Sequence, residues 1–229
     1  GIGHRDANDA MKIADLAYLA EVEEFGQPGG RMDHVTSALG GLVHINFNGG
    51  THVTRLERKL NGRFLLFDSM ERKDTLRVLA SSKTPTLEGL AQLGVGIRDF
   101  VEGRADIALT EQLDPYRRAR VLANIENYKL LQAGLALLGE ETIDDAKLGE
   151  LIYAHHEKLR DGLGISTPTI ESILDTAMAA GALGGKLNGS GGGGCCFVYA
   201  HSEDCEKILR AVPYPGKILA QDTGVRRDV

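Results

Sequence analysis

The feature that most constrains this chain is the glycine run at residues 184–194, Gly-Gly-Lys-Leu-Asn-Gly-Ser-Gly-Gly-Gly-Gly. The β-prone stretch Cys-Cys-Phe-Val-Tyr-Ala follows at once, at residues 195–200. Glycine tolerates positive φ and lets backbone N–H groups approach another chain or an anion closely, because no Cβ is in the way. The run therefore predicts a turn between two strands and a candidate neighbour of a phosphate group.

Two well-known phosphate motifs do not explain this run. Residues 189–194 match the Gly-x-Gly-x-x-Gly spacing of dinucleotide-binding proteins, but that motif opens a helix, whereas a strand is expected here. A P-loop requires Ser or Thr after its Gly-Lys pair, and Gly185-Lys186 is followed by Leu187. The run is interpreted as another kind of glycine loop.

The composition excludes several classes of function. The 229 residues are 42% hydrophobic and 25% charged, which predicts a globular protein with a substantial core. The net charge of -6 argues against nucleic acid as the main partner, because such binding depends chiefly on Lys and Arg. No stretch approaches the roughly 18 apolar residues of a membrane span. Three cysteines, two of them adjacent, fit a reducing compartment, so a cytoplasmic protein without a membrane partner is expected.

Hydrophobic periodicity predicts strands, then helices, then strands. A helix is expected from Asn8 to about Phe25, and strands at 42–47, 51–56 and 64–67 are expected to be antiparallel neighbours. Helices are then expected at 73–81, 85–102, 104–113, 115–139, 144–161 and 168–181, with Pro85, Pro115 and Pro168 near helix starts. Strands at 183–187, 196–200 and 217–220, with a helix at 203–211, complete the chain. This order favours an α+β fold, with a domain boundary near Met70.

Asp33 is the first candidate for chemistry. It follows the turn Gly26-Gln27-Pro28-Gly29-Gly30 and lies near a predicted helix start. Phosphoryl transfer needs a group that orients or deprotonates the acceptor hydroxyl, and Asp commonly has that role in kinases. A helical N-terminal Asp favoured by the helix dipole is the alternative explanation.

Three further polar residues have two interpretations each. Glu21 lies at the border of the apolar face of the first helix, where it could bind a hard cation or could be a surface residue. His155 continues an apolar stripe and is expected to be a core or interface histidine, with no metal assigned to it. Lys186 could reach a phosphate or could lie at a strand end on the surface.

These residues resemble motifs of the GHMP kinases, the small-molecule kinase superfamily that contains galactokinase, homoserine kinase, mevalonate kinase and phosphomevalonate kinase. Residues 184–195 resemble its third conserved motif, a glycine loop that packs beside the nucleotide-phosphate loop. Residues 26–34 resemble the galactokinase segment that carries the catalytic aspartate, and Glu21 matches the glutamate associated with magnesium. Residues 156–161 resemble the galactokinase segment Ser-His-x-x-Leu-Arg-Asp.

The resemblance implies a fold and an activity. Residues 1–70 would be the downstream part of the N-terminal kinase domain, and 71–229 the C-terminal domain with its antiparallel sheet and helices. The activity would be galactokinase-like transfer of the γ-phosphoryl of ATP, with Mg2+, to a sugar hydroxyl. Asp33 would be catalytic and, with Gly30, would contact the substrate, while Glu21 would serve the metal. The nucleotide would be contacted at Gly189, Ser190, Gly191, Gly192, Gly193 and Gly194.

Departures from the galactokinase pattern leave the acceptor open. Leu163 replaces a usual tyrosine and Thr169 a usual glutamate, and residues 224–226 are more similar to mevalonate kinase ends. Residues 181–187 also resemble heptose-phosphate kinases. A heptose-phosphate kinase and a mevalonate kinase are therefore the alternative enzymes.

Two motifs of the superfamily do not occur in this sequence. The first holds substrate contacts, and the second is the Gly-Leu-Ser-Ser-Ser phosphate loop that opens a helix. The chain is therefore expected to be the downstream portion of a kinase, with the upstream portion as a partner. A non-catalytic sensor with the kinase fold and an inactive fragment are the alternatives from other classes.

Overall fold

The computed structural model describes residues 7–26, 29–73 and 75–225. Two compact units are present: residues up to Lys59 together with those from Ala220 onward, and Leu60–Leu219. The assignment of 1–70 and 71–229 to two kinase domains stays a prediction. Gln27 and Pro28, in the predicted turn before Asp33, lie outside the described residues, as do Asp74 and Arg226.

The first unit contains two helices and a two-stranded sheet among its described residues. They are α1 (Ala7–Tyr18), α2 (Met32–Leu39), β1 (Val43–Asn46) and β2 (His52–Arg55). A π-helical turn, Leu19–Glu24, continues α1, so the predicted helix is confirmed but its last part is wound differently. The two strands are antiparallel, with Val43 opposite Arg55. The core of this unit consists of Ala14, Val35, Ala38 and Leu39.

Residues 220–225 return to this unit and pack on the end of α2. The N–H of Gly41 donates to the carbonyl of Asp222 at 2.9 Å, and the N–H of Val225 donates to the carbonyl of Ala38 at 2.9 Å. A Cβ on Gly40 would lie 2.1 Å from the backbone nitrogen of Gly224. This close approach of two backbones requires glycine at Gly40, which also has φ +63°.

The second unit contains an antiparallel sheet and most of the helices. Its helices are α3 (Thr75–Leu93), α4 (Ile97–Val101), α5 (Pro115–Gly139), α6 (Asp145–Glu157), α7 (Pro168–Ala179) and α8 (Cys205–Ala211). Its strands are β3 (Arg63–Asp68), β4 (Gly184–Leu187), β5 (Cys195–Ala200) and β6 (Gly216–Ile218), in the order β4-β5-β3-β6. A 3-10 turn at Ile107–Gln112 and a π-helical turn at Lys158–Gly162 complete it. The predicted α+β class is thus confirmed.

The predicted partner of the third strand is wrong. Residues 64–67 were expected beside the strand at 51–56, but β3 pairs with β5 and β6 instead. Leu65 and Phe67 are fully buried in the core of the second unit, where they meet residues of β5 and of α7 and α8. The strand partner of β3 is therefore selected by burial of the face that carries Leu65 and Phe67, and not by proximity in sequence.

Pro85 is also placed differently from the prediction. It lies inside α3, which joins two of the predicted helices, and it is buried. A helical proline has no N–H to donate to the carbonyl four residues earlier, here that of Ser81. That carbonyl accepts from the Tyr116 hydroxyl at 2.8 Å and from Arg120 Nε at 2.8 Å. Two donors from α5 therefore replace the hydrogen bond that the proline removes.

The core of the second unit lies between one sheet face and helices α7 and α8. Its fully buried members include Leu65, Phe67, Leu187, Cys196, Val198, Ile170, Ile173 and Ile208. The opposite face carries Phe64 and Tyr199, which pack with Leu148 and Ile152 of α6. Within the described ranges, no helix combines the length and apolar character that a membrane span needs.

Candidate functional site

Asp33 occupies the first turn of α2, which begins at Met32. Its side chain is exposed, and no residue in the described ranges donates a hydrogen bond to its carboxylate. Gly30 is exposed as well, and a Cβ built on it would meet no heavy atom within 4 Å. The Asp33 carboxylate is therefore accessible to solvent, and there is free space beside Gly30, three residues earlier. Such a group can accept a proton from a molecule bound there.

Glu21 is held by a histidine that adjoins Asp33 in sequence. The Nε2 atom of His34 lies 2.9 Å from Glu21 Oε2, and the two side chains are 9% and 64% exposed. The His34 ring also meets the edge of Tyr18, with centroids 5.7 Å apart. Its Nδ1 atom is buried and has no hydrogen-bond partner among the described residues.

Arg31 brings a positive charge to the same segment. Its guanidinium pairs with Asp15 of α1 and lies over the Tyr18 ring, 5.1 Å from the ring centroid. Its Nε atom is buried without a partner among the described residues. Neither Arg31 nor His34 was singled out from the sequence, although both lie within two residues of Asp33.

The glycine loop has a conformation that only glycine adopts readily. The φ angles are +72° at Gly189, +83° at Gly191, +70° at Gly192, +115° at Gly193 and +75° at Gly194. The loop joins β4 to β5, which are antiparallel, so the predicted turn between strands is confirmed. Because non-glycine residues rarely adopt positive φ, a run of this kind specifies the loop shape directly.

Close packing inside the second unit also demands these glycines. A Cβ on Gly191 would lie 2.5 Å from the carbonyl oxygen of Ile165, and one on Gly192 would lie 2.5 Å from Val78 Cγ2. The N–H of Gly192 donates to the Ile165 carbonyl at 2.8 Å. Within the described part of the chain, the N–H groups of Ser190, Gly191 and Gly193 have no acceptor.

A lysine lies against this loop from a distant part of the sequence. Lys73 Nζ donates to the carbonyl of Asn188 at 3.0 Å, and a Cβ on Gly189 would lie 3.0 Å from the same nitrogen. Thr75 Oγ1 lies 3.5 Å from Ser190 Oγ. Lys73 is not among the residues predicted from the sequence, because it lies 115 positions before Asn188 and no local pattern signals the contact.

The histidine of the segment 156–161 is structural. His156 is fully buried, and its Nδ1 atom accepts the N–H of Leu187 at 3.3 Å, so its Nε2 carries the proton donated to Glu171 Oε1 at 2.9 Å. Burial lowers the pKa of His156, so the ring is neutral. Glu171 also accepts from Ser166 and, at 3.3 Å, from Arg160. This network joins α6, α7 and β4 just before the glycine loop.

A second carboxylate fixes the other side of the loop. Glu71 accepts the hydroxyls of Thr169, at 2.8 Å, and Thr167. Its backbone carbonyl accepts the N–H of Gly194 at 3.0 Å. Thr169, one of the departures from the galactokinase pattern, therefore holds the segment on which the glycine loop rests.

Comparisons with known proteins bear on this arrangement. Residues 130–218 match the family model described as GHMP kinases C terminal. A galactokinase of Mycobacterium bovis is 32% identical over an alignment of 212 residues that covers 89% of this chain and 57% of that protein. The galactokinase of Streptomyces coelicolor is 27% identical over an alignment of 209 residues that covers 88% of this chain and 54% of that protein. This chain spans little more than half the length of the curated relatives it matches.

Solved structures support the same fold. Lactococcus lactis galactokinase, in complex with galactose, aligns with a TM-score of 0.62 at 16% identity over 94% of this chain and 60% of its own. Methanococcus jannaschii mevalonate kinase aligns with a TM-score of 0.62 at 20% identity over 95% and 57%. At these identities the alignments establish the fold, and the predicted GHMP kinase fold is confirmed.

Proposed function

We propose that this chain, which matches the GHMP kinase C-terminal family over residues 130–218 and shares the GHMP kinase fold, is part of a sugar kinase that transfers the γ-phosphoryl group of ATP to a sugar hydroxyl. The observation that carries the proposal is the exposed carboxylate of Asp33, which accepts no hydrogen bond from the described residues. The curated relatives named above are galactokinases, so a free hexose such as galactose is the proposed acceptor. A cytoplasmic location is part of the proposal.

Asp33 has the chemical role in this proposal. Its carboxylate orients the acceptor hydroxyl and takes the proton of that hydroxyl as the new O–P bond forms and ADP leaves. Positioning and charge stabilisation supply most of the catalysis in phosphoryl transfer. An exposed carboxylate held in the first turn of a helix can provide the positioning of the acceptor hydroxyl. Arg31, two residues earlier, pairs with Asp15 and lies over the Tyr18 ring, so it fixes the segment that leads to Asp33.

Glu21 fits the proposed magnesium role. No group of three acidic, histidine or cysteine side chains suited to a metal occurs in the described ranges, so a bound Mg2+ would take its remaining ligands from substrate phosphates and water. Magnesium in kinases is commonly held by one or two carboxylates together with substrate phosphates. The His34 contact engages only Oε2 of Glu21 and leaves Oε1 available. The ion, when bound, would neutralise charge on the ATP phosphates.

The glycine loop supports the nucleotide in this proposal. Its backbone N–H groups at Ser190, Gly191 and Gly193 lack acceptors among the described residues, and Lys73 lies at its edge. Backbone N–H groups beside an ammonium favour phosphate oxygens. The Glu71 and Ile165 contacts hold the loop in one shape, so little ordering is needed when ATP binds.

An acceptor panel tests the proposal. ADP release is coupled to a spectrophotometric readout with galactose, other hexoses, a heptose phosphate and mevalonate, and ATP without acceptor is the control. Turnover with a free hexose is expected. Turnover only with the heptose phosphate or mevalonate would replace the proposed acceptor by one of those two. ATP binding without turnover on any acceptor would contradict the kinase assignment and favour a sensor.

A further inference from the structure

A cavity of 520 Å³ lies in the second unit, beside α5, α6 and β4. Its volume is in the range of small-molecule sites. Most of its walls are apolar and come from Ile97, Leu130, Leu131, Leu148, Leu151 and Ile152. None of the glycine-loop residues 189–194 lines it, so it is separate from the proposed nucleotide contact.

Lys186 is the only charged residue among those lining this cavity. No described residue accepts a hydrogen bond from its ammonium group or forms a salt bridge with it. Its Nζ atom lies over the ring of Phe197, 5.5 Å from the ring centroid. Burial lowers the pKa of Lys186 to about 8. From the sequence, Lys186 was expected either to reach a phosphate or to lie on the surface at a strand end. The structure instead places it partly buried, with no anionic partner among the described residues.

Asn127 of α5 supplies a second unsatisfied group to the same cavity. Its Oδ1 atom is buried and has no hydrogen-bond partner among the described residues. The neighbouring Asn124 differs, because its amide donates to Thr86 Oγ1 at 3.2 Å and to the carbonyl of Arg120 at 2.9 Å. A buried acceptor without a donor destabilises the unoccupied cavity. A ligand donor would remove that destabilisation.

His155 does not compensate the positive charge of Lys186. It lines the cavity, and its pKa is lowered to about 4 by burial and by the charge of Lys186. The ring is therefore neutral near neutral pH and adds no charge to the cavity. The cavity thus combines apolar walls, one ammonium without an anion, and one acceptor without a donor.

We propose that this cavity binds a small apolar carboxylate, whose anionic group pairs with Lys186 and whose hydroxyl or amino group donates to Asn127 Oδ1. A carboxylate carries one negative charge and matches one ammonium. A phosphate monoester carries about two negative charges, and the second would stay uncompensated against apolar walls. The proposal does not depend on the proposed kinase function, because no residue assigned to phosphoryl transfer lines the cavity.

The first test needs no variant. Isothermal titration calorimetry compares 3-phenylpropionate with 3-phenylpropionamide, which has the same shape without the charge, and with phenyl phosphate. The carboxylate is expected to bind at least about tenfold more tightly than the amide, as a charge-assisted hydrogen bond predicts. Equal affinity for acid and amide would overturn the proposal. Tightest binding of phenyl phosphate, or no binding of the carboxylate at millimolar concentration, would overturn it too.

Variants then locate the bound probe. Lys186→Met keeps the apolar stem and is expected to weaken 3-phenylpropionate by at least about tenfold. Lys129→Met, an exposed lysine on α5, is the matched control and should leave the affinity unchanged. Asn127→Leu should weaken 3-phenyllactate, which has a hydroxyl, more than it weakens 3-phenylpropionate. Unchanged affinity in Lys186→Met would show that the probe binds elsewhere and would overturn the proposal.

Discussion

His34 holds Glu21 through a 2.9 Å contact between Nε2 and Oε2, although the two residues are 13 positions apart. The contact ties the π-helical turn after α1 to the first turn of α2, the turn that carries Asp33. Glu21 is 64% exposed and would otherwise sample many rotamers. The histidine therefore limits the positions that the proposed magnesium residue can take.

Glu21→Gln is expected to raise the Mg2+ concentration needed for half-maximal activity by about tenfold, because loss of one carboxylate ligand weakens a site that has few protein ligands. A magnesium titration of the kinase reaction measures it. Glu24→Gln, an exposed neighbour in the same turn, is the control and should behave as the wild type. The same magnesium dependence in Glu21→Gln and wild type would remove Glu21 from the metal site.

Gly191→Ala is expected to lower the free energy of unfolding by about 2–4 kcal/mol, because the new Cβ requires φ +83° and meets the Ile165 carbonyl oxygen. Urea denaturation measures the loss. Gly134→Ala is the matched control within α5, where a Cβ meets nothing within 4 Å. It should stabilise by about 0.5–1 kcal/mol through helix propensity. A neutral Gly191→Ala would mean that the loop can relax away from Ile165.

Acid should destabilise the second unit through His156, which is buried, and His155, which is partly buried. Burial lowers the pKa of His155 to about 4 and lowers that of His156, whereas the unperturbed value is 6.5. Both histidines contribute fully to the stability of the fold above pH 6.5. The contribution of His155 is lost as pH falls toward about 4, and that of His156 also falls in acid, because the unfolded state binds the protons first. The slope is at most about 1.4 kcal/mol per pH unit for each histidine.

Urea midpoints measured across that pH window test this expectation. His155→Leu, which extends the apolar stripe, should reduce the slope. Leu151→Val changes the neighbouring packing but keeps both histidines, so it should keep the wild-type slope. An unchanged slope in His155→Leu would assign the acid sensitivity to other groups.

Lys186→Met is expected to stabilise the protein at neutral pH. The pKa of Lys186 is about 8 in the folded protein against 10.5 when unperturbed, so folding penalises the charged form. The penalty is fully present below pH 8 and disappears as pH rises toward 10.5. The variant should therefore gain on the order of 1–3 kcal/mol near pH 7 and lose this advantage at high pH. Thermal or urea unfolding of the two proteins measures it, and a destabilised variant at pH 7 would contradict the expectation.

Local elements could be predicted from the sequence because their signals are local. The turn at 189–194 follows from the positive φ that glycine permits, and α5 begins at Pro115 as its pattern indicates. The pairing of β3 with β5 was not predictable in this way, because burial of Leu65 and Phe67 in a shared core selects a partner more than a hundred residues away. Pro85 within α3 likewise depends on donors that α5 supplies.

Among the candidate functional residues, too, only those with a local sequence signal could be predicted. Asp33 and Glu21 carry a motif signal, and their roles stay predictions. Lys73 beside the glycine loop and His34 beside Glu21 are visible only in the folded chain. The cavity beside Lys186 could not be predicted from the sequence, because its character comes from the absence of partners among the described residues.

The most direct measurement is the turnover of Asp33→Asn with ATP and a free hexose. Asparagine keeps the size of the side chain but cannot accept the hydroxyl proton as a carboxylate does, so kcat should fall by about a thousandfold while the KM for ATP changes little. Asp175→Asn, an exposed aspartate of α7, is the control and should retain wild-type turnover. An Asp33→Asn variant whose kcat stays within about tenfold of the wild type would contradict the role of Asp33 as the proton acceptor.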